Sequence, residues 1–303
     1  MPWRSVVISN PARLTTKNSS LAIEQDSVAK IPFEDIAIIV LNHKAISLTH
    51  PVLSACAEHG VGLFSTGENY QPNGVFVPFL PHTRTTKVMR QQLALDKPTA
   101  KRCWSHIVKT KITNQSRCLN LARRPGSELL DTLSRSVRSG DPDNLEAQAS
   151  AHYFRNLFGI QFTRTRTHRV NSALNYGYAI FRGAIARVLV SHGFLPAFGL
   201  HHHSEQNAFN LADDLIEPFR PLVDLFVASE ISDDDADLTT SDKASLVELL
   251  HYDLETEQGH STRSGLAAIE HLVASLLRVV GKNDHQLLEL PLLIPLKVHS
   301  NEC

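Results

Sequence analysis

Residues 72–82 read PNGVFVPFLPH, and the texture of the chain changes across them. Upstream lie WRSVVISN (3–10), ARLTTK (12–17), SLAIEQD (20–26), SVAKIPF (27–33), IAIIVLN (36–42) and GVGLFSTG (60–67). These segments are short, rich in β-branched residues and punctuated by Asn, Gly and Pro, which is how strands read. HPVLSACAEHG (50–60) interrupts them as a helix, with Pro51 near its start and Gly60 at its end. Downstream, RTTKVMRQQLALD (84–96), AKRCWSHIVKTKITNQSRCLNLA (100–122), SELLDTLSRSVRSG (127–140) and PDNLEAQASAHYFRNLF (142–158) space apolar residues three and four apart. So do VNSALNYGYAIFRGAIARVLVSHG (170–193), ASLVELLHYDLETEQ (244–258) and TRSGLAAIEHLVASLLRVVG (262–281). The sequence therefore predicts an α+β protein. A small all-β domain over residues 1–79 precedes a larger all-α domain over 80–303, with a linker near Pro78–His82.

Composition supports a folded chain. Of 303 residues, 42% are hydrophobic and 20% charged, enough apolar material for a core and too little charge for disorder. No apolar run approaches the roughly 18 residues of a membrane span, and MPWRSVVISN lacks the apolar core of a signal peptide. Cys56, Cys103, Cys118 and Cys303 are far apart, without a C-x-x-C pair, and read as reduced thiols of a cytoplasmic protein. Net charge is −1, but its distribution is uneven. Arg84–Arg124 holds eleven Lys or Arg against Asp96, and Asp213–Glu257 holds fourteen acids against Arg220 and Lys243. Such a chain suits a polyanionic partner together with carboxylate chemistry; two solvated faces that neutralise each other would look the same.

The chemistry concentrates in GLHHHSEQNAFNLADDLIEPFRP (199–221). Asn210 reads as the cap of a helix LADDLIE, with Asp213 and Asp214 in its first turn. Glu217 is four residues from Asp213 and three from Asp214, so it can share a site with either. The two aspartates point about 100° apart, which leaves one of them as a cap or solvent group. Pro218 and Pro221 cannot donate to the carbonyls of Asp214 and Glu217, so the helix bends or ends at Glu217. An acid held at a bend facing a cation is one reading, and a helix end followed by a turn is the other. Of His201, His202 and His203, an extended backbone sends the outer two to one side and His202 to the other. A triple histidine is commonly a solvated loop, but an imidazole so close to paired acids suits Mg²⁺ or Mn²⁺ in phosphoryl chemistry. Glu146 is the candidate for a further acid. Asp141 caps its helix, Pro142 takes the first helical position, and Glu146 shares a face with Ala149, Ser150, Tyr153 and Leu157. An exposed glutamate early in a helix would read alike.

Together these segments identify a family. KIPFEDIAIIV (30–40), SGDPDNLEAQASAHYF (139–154), NSALNYGYAIFRGAIAR (171–187) and GLHHHSEQNAFNLADDLIEPFRPLVD (199–224) resemble the CRISPR adaptation integrase, the nuclease subunit that inserts new spacers, in its type II form. The resemblance covers essentially the whole chain. It implies an N-terminal β domain, a helical catalytic domain, a homodimer, and an acid–histidine–acid set around a divalent metal, Mg²⁺ or Mn²⁺. Carried over by motif, that set falls on Glu146, His202 and Glu217, with Asp214 in a supporting role; His201 and His203 match no family ligand. Many relatives outside type II have aspartate where Glu217 stands. The implied reaction joins the 3′-hydroxyls of short DNA fragments into a repeat array by phosphodiester transesterification. The implied partners are double-stranded DNA and a small ferredoxin-like companion subunit. Candidate phosphate contacts are Arg84, Lys87 and Arg90 in RTTKVMR, the KTK of 109–111, and Arg164 and Arg166 in TRTRTHR. A metal-dependent hydrolase of a small phosphorylated molecule and a non-catalytic DNA-binding scaffold are the rival readings.

Overall fold

The computed structural model describes every residue except 1, 70, 79–82, 167, 235, 257–260 and 301–303. Nearly all of the expected linker therefore lies outside the described residues, as does Cys303.

The first 76 residues form strands where the β-branched segments stood: β1 (Arg4–Ile8), β2 (Ala12–Lys17), β3 (Ser20–Glu24), β4 (Val28–Pro32), β5 (Ile36–Leu41), β6 (Ile46–Leu48), β7 (Gly62–Thr66) and β8 (Pro72–Phe76). Helix α1 (His50–Glu58) lies between β6 and β7. One sheet has the order β4-β3-β2-β6, antiparallel except for the parallel β2–β6 pair. The other has the order β1-β5-β7-β8, parallel until β8 turns back on β7. The run IAIIVL of β5 is apolar throughout because both of its faces are covered. Ile36 and Ile39 join a core with Leu14, Leu21, Val52 and Cys56. Ala37, Ile38 and Val40 join the helical core instead. Phe64 of β7 crosses the same way, against a glycine of the long helix described next: a Cβ on Gly183 would lie 2.0 Å from its ring.

The helices are α2 (Thr85–Leu93), α3 (Lys97–Leu121), α4 (Ser127–Ser136), α5 (Leu145–Phe158), α6 (Arg169–Ser191), α7 (Asn210–Ile216), α8 (Arg220–Glu230), α9 (Thr240–Glu248) and α10 (Gly265–Lys282). Helix α3 is buried along most of its length, and α4, α5, α8 and the last strand pack around it.

The expectation of an all-α second domain is overturned. Strands β9 (Tyr252–Thr256), β10 (Thr262–Ser264) and β11 (Pro291–Val298) form an antiparallel sheet of order β10-β9-β11. The segment 244–258, expected to be one helix, leaves helical geometry after Glu248, makes a 3-10 turn at Leu249–His251, and becomes β9. Its downstream half is rich in polar and β-tolerant residues (YDLET) and finds hydrogen-bond partners in β10 and β11, so pairing overrides local helical pattern. This sheet supports the functional region. Buried Asn114 of α3 donates to the carbonyls of Pro218 (2.8 Å) and Pro291 (3.0 Å) and accepts from the amide of Leu293 (3.0 Å).

Candidate active site

Three chain segments meet at the middle of α3. Helix α5 starts at Leu145, three residues later than the Asp141–Pro142 pattern suggests, because Asn144 adopts a left-handed conformation. Asp141 still caps it from outside: its two carboxylate oxygens accept from the amides of Leu145 (2.9 Å) and Glu146 (3.0 Å). That pins Glu146 in the positively polarised first turn.

The two prolines divide a helix. Helix α7 stops at Ile216, a 3-10 turn spans Glu217–Phe219, and α8 begins at Arg220. Pro218 and Pro221 fall in the first turns of the 3-10 segment and of α8, where a missing N–H costs little. Glu217 sits at that break with its side chain 8% exposed. The expected bend and the expected helix end are thus one feature.

Lys111, read from the sequence as a phosphate contact, lies between the two acids instead. Its ammonium bonds Glu146 Oε1 and meets Glu217 Oε2 at 2.5 Å. Both acids are thus paired with the same buried ammonium. Arg220 Nε donates to the other Glu217 oxygen at 2.8 Å, and its guanidinium lies over the Tyr178 ring, 4.5 Å from the centroid. Burial alone would raise the Glu217 carboxyl, but Arg220 and then Lys111 outweigh it and hold the pKa at about 2. Burial likewise opposes the Lys111 charge, and Glu217 and Glu146 more than offset it. The sequence offers Lys111 as a phosphate contact and not as a partner of these acids, and for Arg220 the only local signal is its place three residues after Glu217.

The histidine loop is built on Asp214, which is fully buried. Its Oδ2 accepts from the amides of Leu200 (2.5 Å) and His201 (3.0 Å). Its Oδ1 accepts from the amide of His202 (3.2 Å) and from His202 Nδ1 (2.7 Å). Gly199 makes this possible by close approach, since a Cβ there would lie 2.6 Å from Asp214 Oδ2 and 2.5 Å from the His202 carbonyl oxygen. The hydrogen bond that His202 Nδ1 donates to Asp214 raises the His202 pKa against partial burial and fixes the proton on Nδ1, leaving Nε2 as the ring's acceptor. His201 stacks on Trp104 of α3 with centroids 4.2 Å apart and planes within 2°, and His202 meets the same indole edge-on at 5.6 Å. Burial lowers the His201 pKa. Asp213 turns away to Arg182 (2.6 and 3.0 Å), so neither aspartate is the cap or solvent group expected for one of them. Asn210 is the first residue of α7, not its cap, and its amide holds the carbonyls of Ala197, Ser204 and Asn207.

Among the described residues, no three His, Cys, Asp or Glu side chains lie close enough together to hold a metal ion. The donor chemistry nonetheless suits a divalent cation. Two carboxylates share one cation, and the charge of Glu217 reaches an imidazole whose far nitrogen is backed by a third carboxylate. That backing is how metal-binding histidines are commonly oriented.

Of the other candidates, Lys87 and Arg90 are exposed on α2, Arg84 is exposed just before it, and Arg166 is exposed. Arg164 is folded back, its guanidinium donating to Asn171 (2.8 Å) and Asn175 (2.7 Å). Below the site, buried Asp224 accepts from Tyr153 (3.0 Å) and from Tyr178, a polar centre that the sequence did not signal. No helix among the described residues is long and apolar enough to cross a membrane.

Comparison with known proteins agrees with this frame. The chain is 43% identical to the CRISPR-associated endonuclease Cas1 of Neisseria meningitidis serogroup C (strain 8013), over all of both chains. Its fold resembles that of a casposase bound to integration product, with TM-score 0.74, 18% identity, and 92% of this chain and 90% of that one covered. It also resembles part of a Cas6-RT-Cas1–Cas2 complex, with TM-score 0.73 and 18% identity, covering 95% of this chain and 36% of that longer one. The family model described as CRISPR associated protein Cas1 matches residues 5–248. With that match and full-length identity to a curated relative, the chain belongs to the Cas1 family of CRISPR-associated proteins.

Proposed function

We propose that the protein is a divalent-metal-dependent DNA endonuclease and integrase of CRISPR adaptation, joining 3′-hydroxyl ends of short DNA fragments into the repeat array. The observation that carries this reading is the convergence of Glu146 and Glu217, from separate helical segments, on the buried Lys111 ammonium, with Asp214-clamped His202 within reach of the Glu217 charge. The endonuclease name of the Neisseria relative supports the chemistry, and the casposase likeness supports a fold able to serve integration.

Glu146, His202 Nε2 and Glu217 would hold Mg²⁺ or Mn²⁺. When bound, that ion supplies Lewis-acid stabilisation of charge on phosphate oxygens. The remaining roles belong to the chain. Asp214 orients His202 and sets which nitrogen carries its proton. Arg220 holds Glu217 ionised at its bend and adds fixed positive charge behind the reacting phosphate. The Trp104–His201 stack braces the loop from which His202 projects, giving His201 a structural role. Lys87 and Arg90 would neutralise phosphates along α2 without reading bases. Arg84 and Arg166 would add further phosphate contacts, and Arg164 contributes by tying its loop to Asn171 and Asn175 of α6. The working assembly is two homodimers of this chain bridged by a dimer of a small ferredoxin-like companion subunit, a reading that the likeness to a Cas6-RT-Cas1–Cas2 complex supports.

The test is strand transfer of a labelled fragment into a repeat-containing duplex, with Mn²⁺ or EDTA, beside a duplex-binding titration. Glu146→Ala and Glu217→Ala should each abolish Mn²⁺-dependent transfer while leaving duplex affinity within about twofold, because binding draws on the basic surface. Transfer unaffected by either change would indicate a scaffold whose chemistry lies elsewhere. Absence of duplex binding in the unaltered protein would favour a small-molecule phosphohydrolase.

A further inference from the structure

Lys111 is an unusual neighbour for a metal site. It projects from the buried face of α3, its side chain is 8% exposed, and its ammonium touches one oxygen of each glutamate. Counting Glu146 and Glu217 against Lys111 and Arg220, the cluster is already neutral. A divalent ion added to a neutral cluster gains little attraction and must share its oxygens with an ammonium. Displacing the ammonium restores the attraction, but a buried lysine then needs another anion. The anion that the proposed reaction brings to this place is a DNA phosphate.

We propose that Lys111 is a built-in counter-cation: it holds the acid pair in the metal-free protein, and it makes loading of the divalent ion depend on a DNA phosphate arriving to take up the displaced ammonium. This inference rests on the functional reading above. It accounts for the pairing of both acids with one buried ammonium at the place where the metal would sit.

The experiment measures Mn²⁺ binding through the free-ion paramagnetic resonance signal, with and without a phosphorothioate duplex that resists cleavage. The proteins are the unaltered chain, Lys111→Met, Lys111→Gln and Glu217→Gln. Methionine keeps the packing of the lysine stem and removes only the charge. The unaltered protein should bind Mn²⁺ weakly alone and about tenfold or more tightly with duplex, whereas both Lys111 variants should bind tightly without it and gain under about twofold from it. In EDTA the Lys111 variants should melt below the unaltered protein, and Mn²⁺ should return them to at least its metal-free melting temperature. Lys111 variants that bind Mn²⁺ no more tightly than the unaltered protein, or that gain as much from duplex, overturn the proposal. So do variants that stay unfolded in Mn²⁺, since the lysine would then be a structural residue that no ion replaces. Mn²⁺ binding that is absent in every protein, or indifferent to Glu217→Gln, refutes instead the metal assignment on which the proposal rests.

Discussion

Replacing Asp214 by asparagine isolates what the buried carboxylate does for the histidine loop. Its two oxygens take four donors: the amides of Leu200, His201 and His202, and His202 Nδ1. Asparagine keeps one oxygen and presents an NH₂ where the other stood, so two amides lose their acceptor if the NH₂ replaces Oδ2, and one does if it replaces Oδ1 and His202 shifts its proton so that Nδ1 accepts. These bonds are half-buried, and each one lost costs about 1–2 kcal/mol, giving about 1–4 kcal/mol in all. If that loss falls on global unfolding, Tm drops by about 2–8 °C, at roughly 2 °C per kcal/mol for a chain of this size. If the loop opens by itself, the loss appears as hydrogen exchange at least about fivefold faster at Leu200, His201 and His202. Nuclear magnetic resonance titration supplies a second readout, in which the His202 pKa falls because its main upward influence is gone. The linkage follows from that shift. A folded-state pKa raised by Asp214 contributes stability that is present below the ordinary histidine pKa and lost as pH rises through the raised value, and Asp214→Asn removes that dependence. A variant that melts within about 1 °C of the unaltered protein, with unchanged exchange at the three amides, would refute the assignment of Asp214 as the loop's anchor.

Other outcomes follow from the same geometry. Gly199→Ala places a methyl 2.6 Å from Asp214 Oδ2 and should detach the loop at a cost of about 1–3 kcal/mol, read as faster exchange at His202; unchanged exchange would show that the loop accommodates it. Burial lifts the Asp224 carboxyl from 3.8 to about 6 despite bonds from Tyr178 and Tyr153. The folded protein therefore holds this proton more tightly than the unfolded chain, and stability falls as pH rises from about 4 to about 6, by about 2–3 kcal/mol. Asp224→Asn should flatten that segment of a denaturation-versus-pH curve, and an unaltered slope would assign the dependence to another group. Lys87→Ala with Arg90→Ala should weaken binding of all duplexes alike and reduce the salt slope by about two; a changed sequence preference with an intact slope would mean that α2 reads bases.

The sequence made most of this fold legible because its N-terminal strands are β-branched and evenly punctuated, and its long helices keep a 3.6-residue period. The C-terminal sheet escaped notice because β9 follows a helix without a Gly or Pro stop, and β11 carries Pro291 and Pro295, which read against a strand. Its pairing is non-local, and no window of sequence contains it. The candidate acids and the histidine were visible as residue types at meaningful spacings. Lys111 was visible only as one more charge in a basic run; its burial depends on how α3 is surrounded. The role of His201 likewise depends on Trp104, which stands 97 positions earlier in the chain.

The central claim is that Glu146, His202 and Glu217 hold one divalent ion. Anomalous diffraction at the manganese edge, from crystals of the protein with Mn²⁺ and a bound duplex, addresses it directly. The expected result is one peak about 2.0–2.3 Å from an oxygen of Glu146, an oxygen of Glu217 and Nε2 of His202, lost in Glu217→Ala. A peak that uses His201 or His203 in place of His202, or one that persists without Glu217, would contradict it.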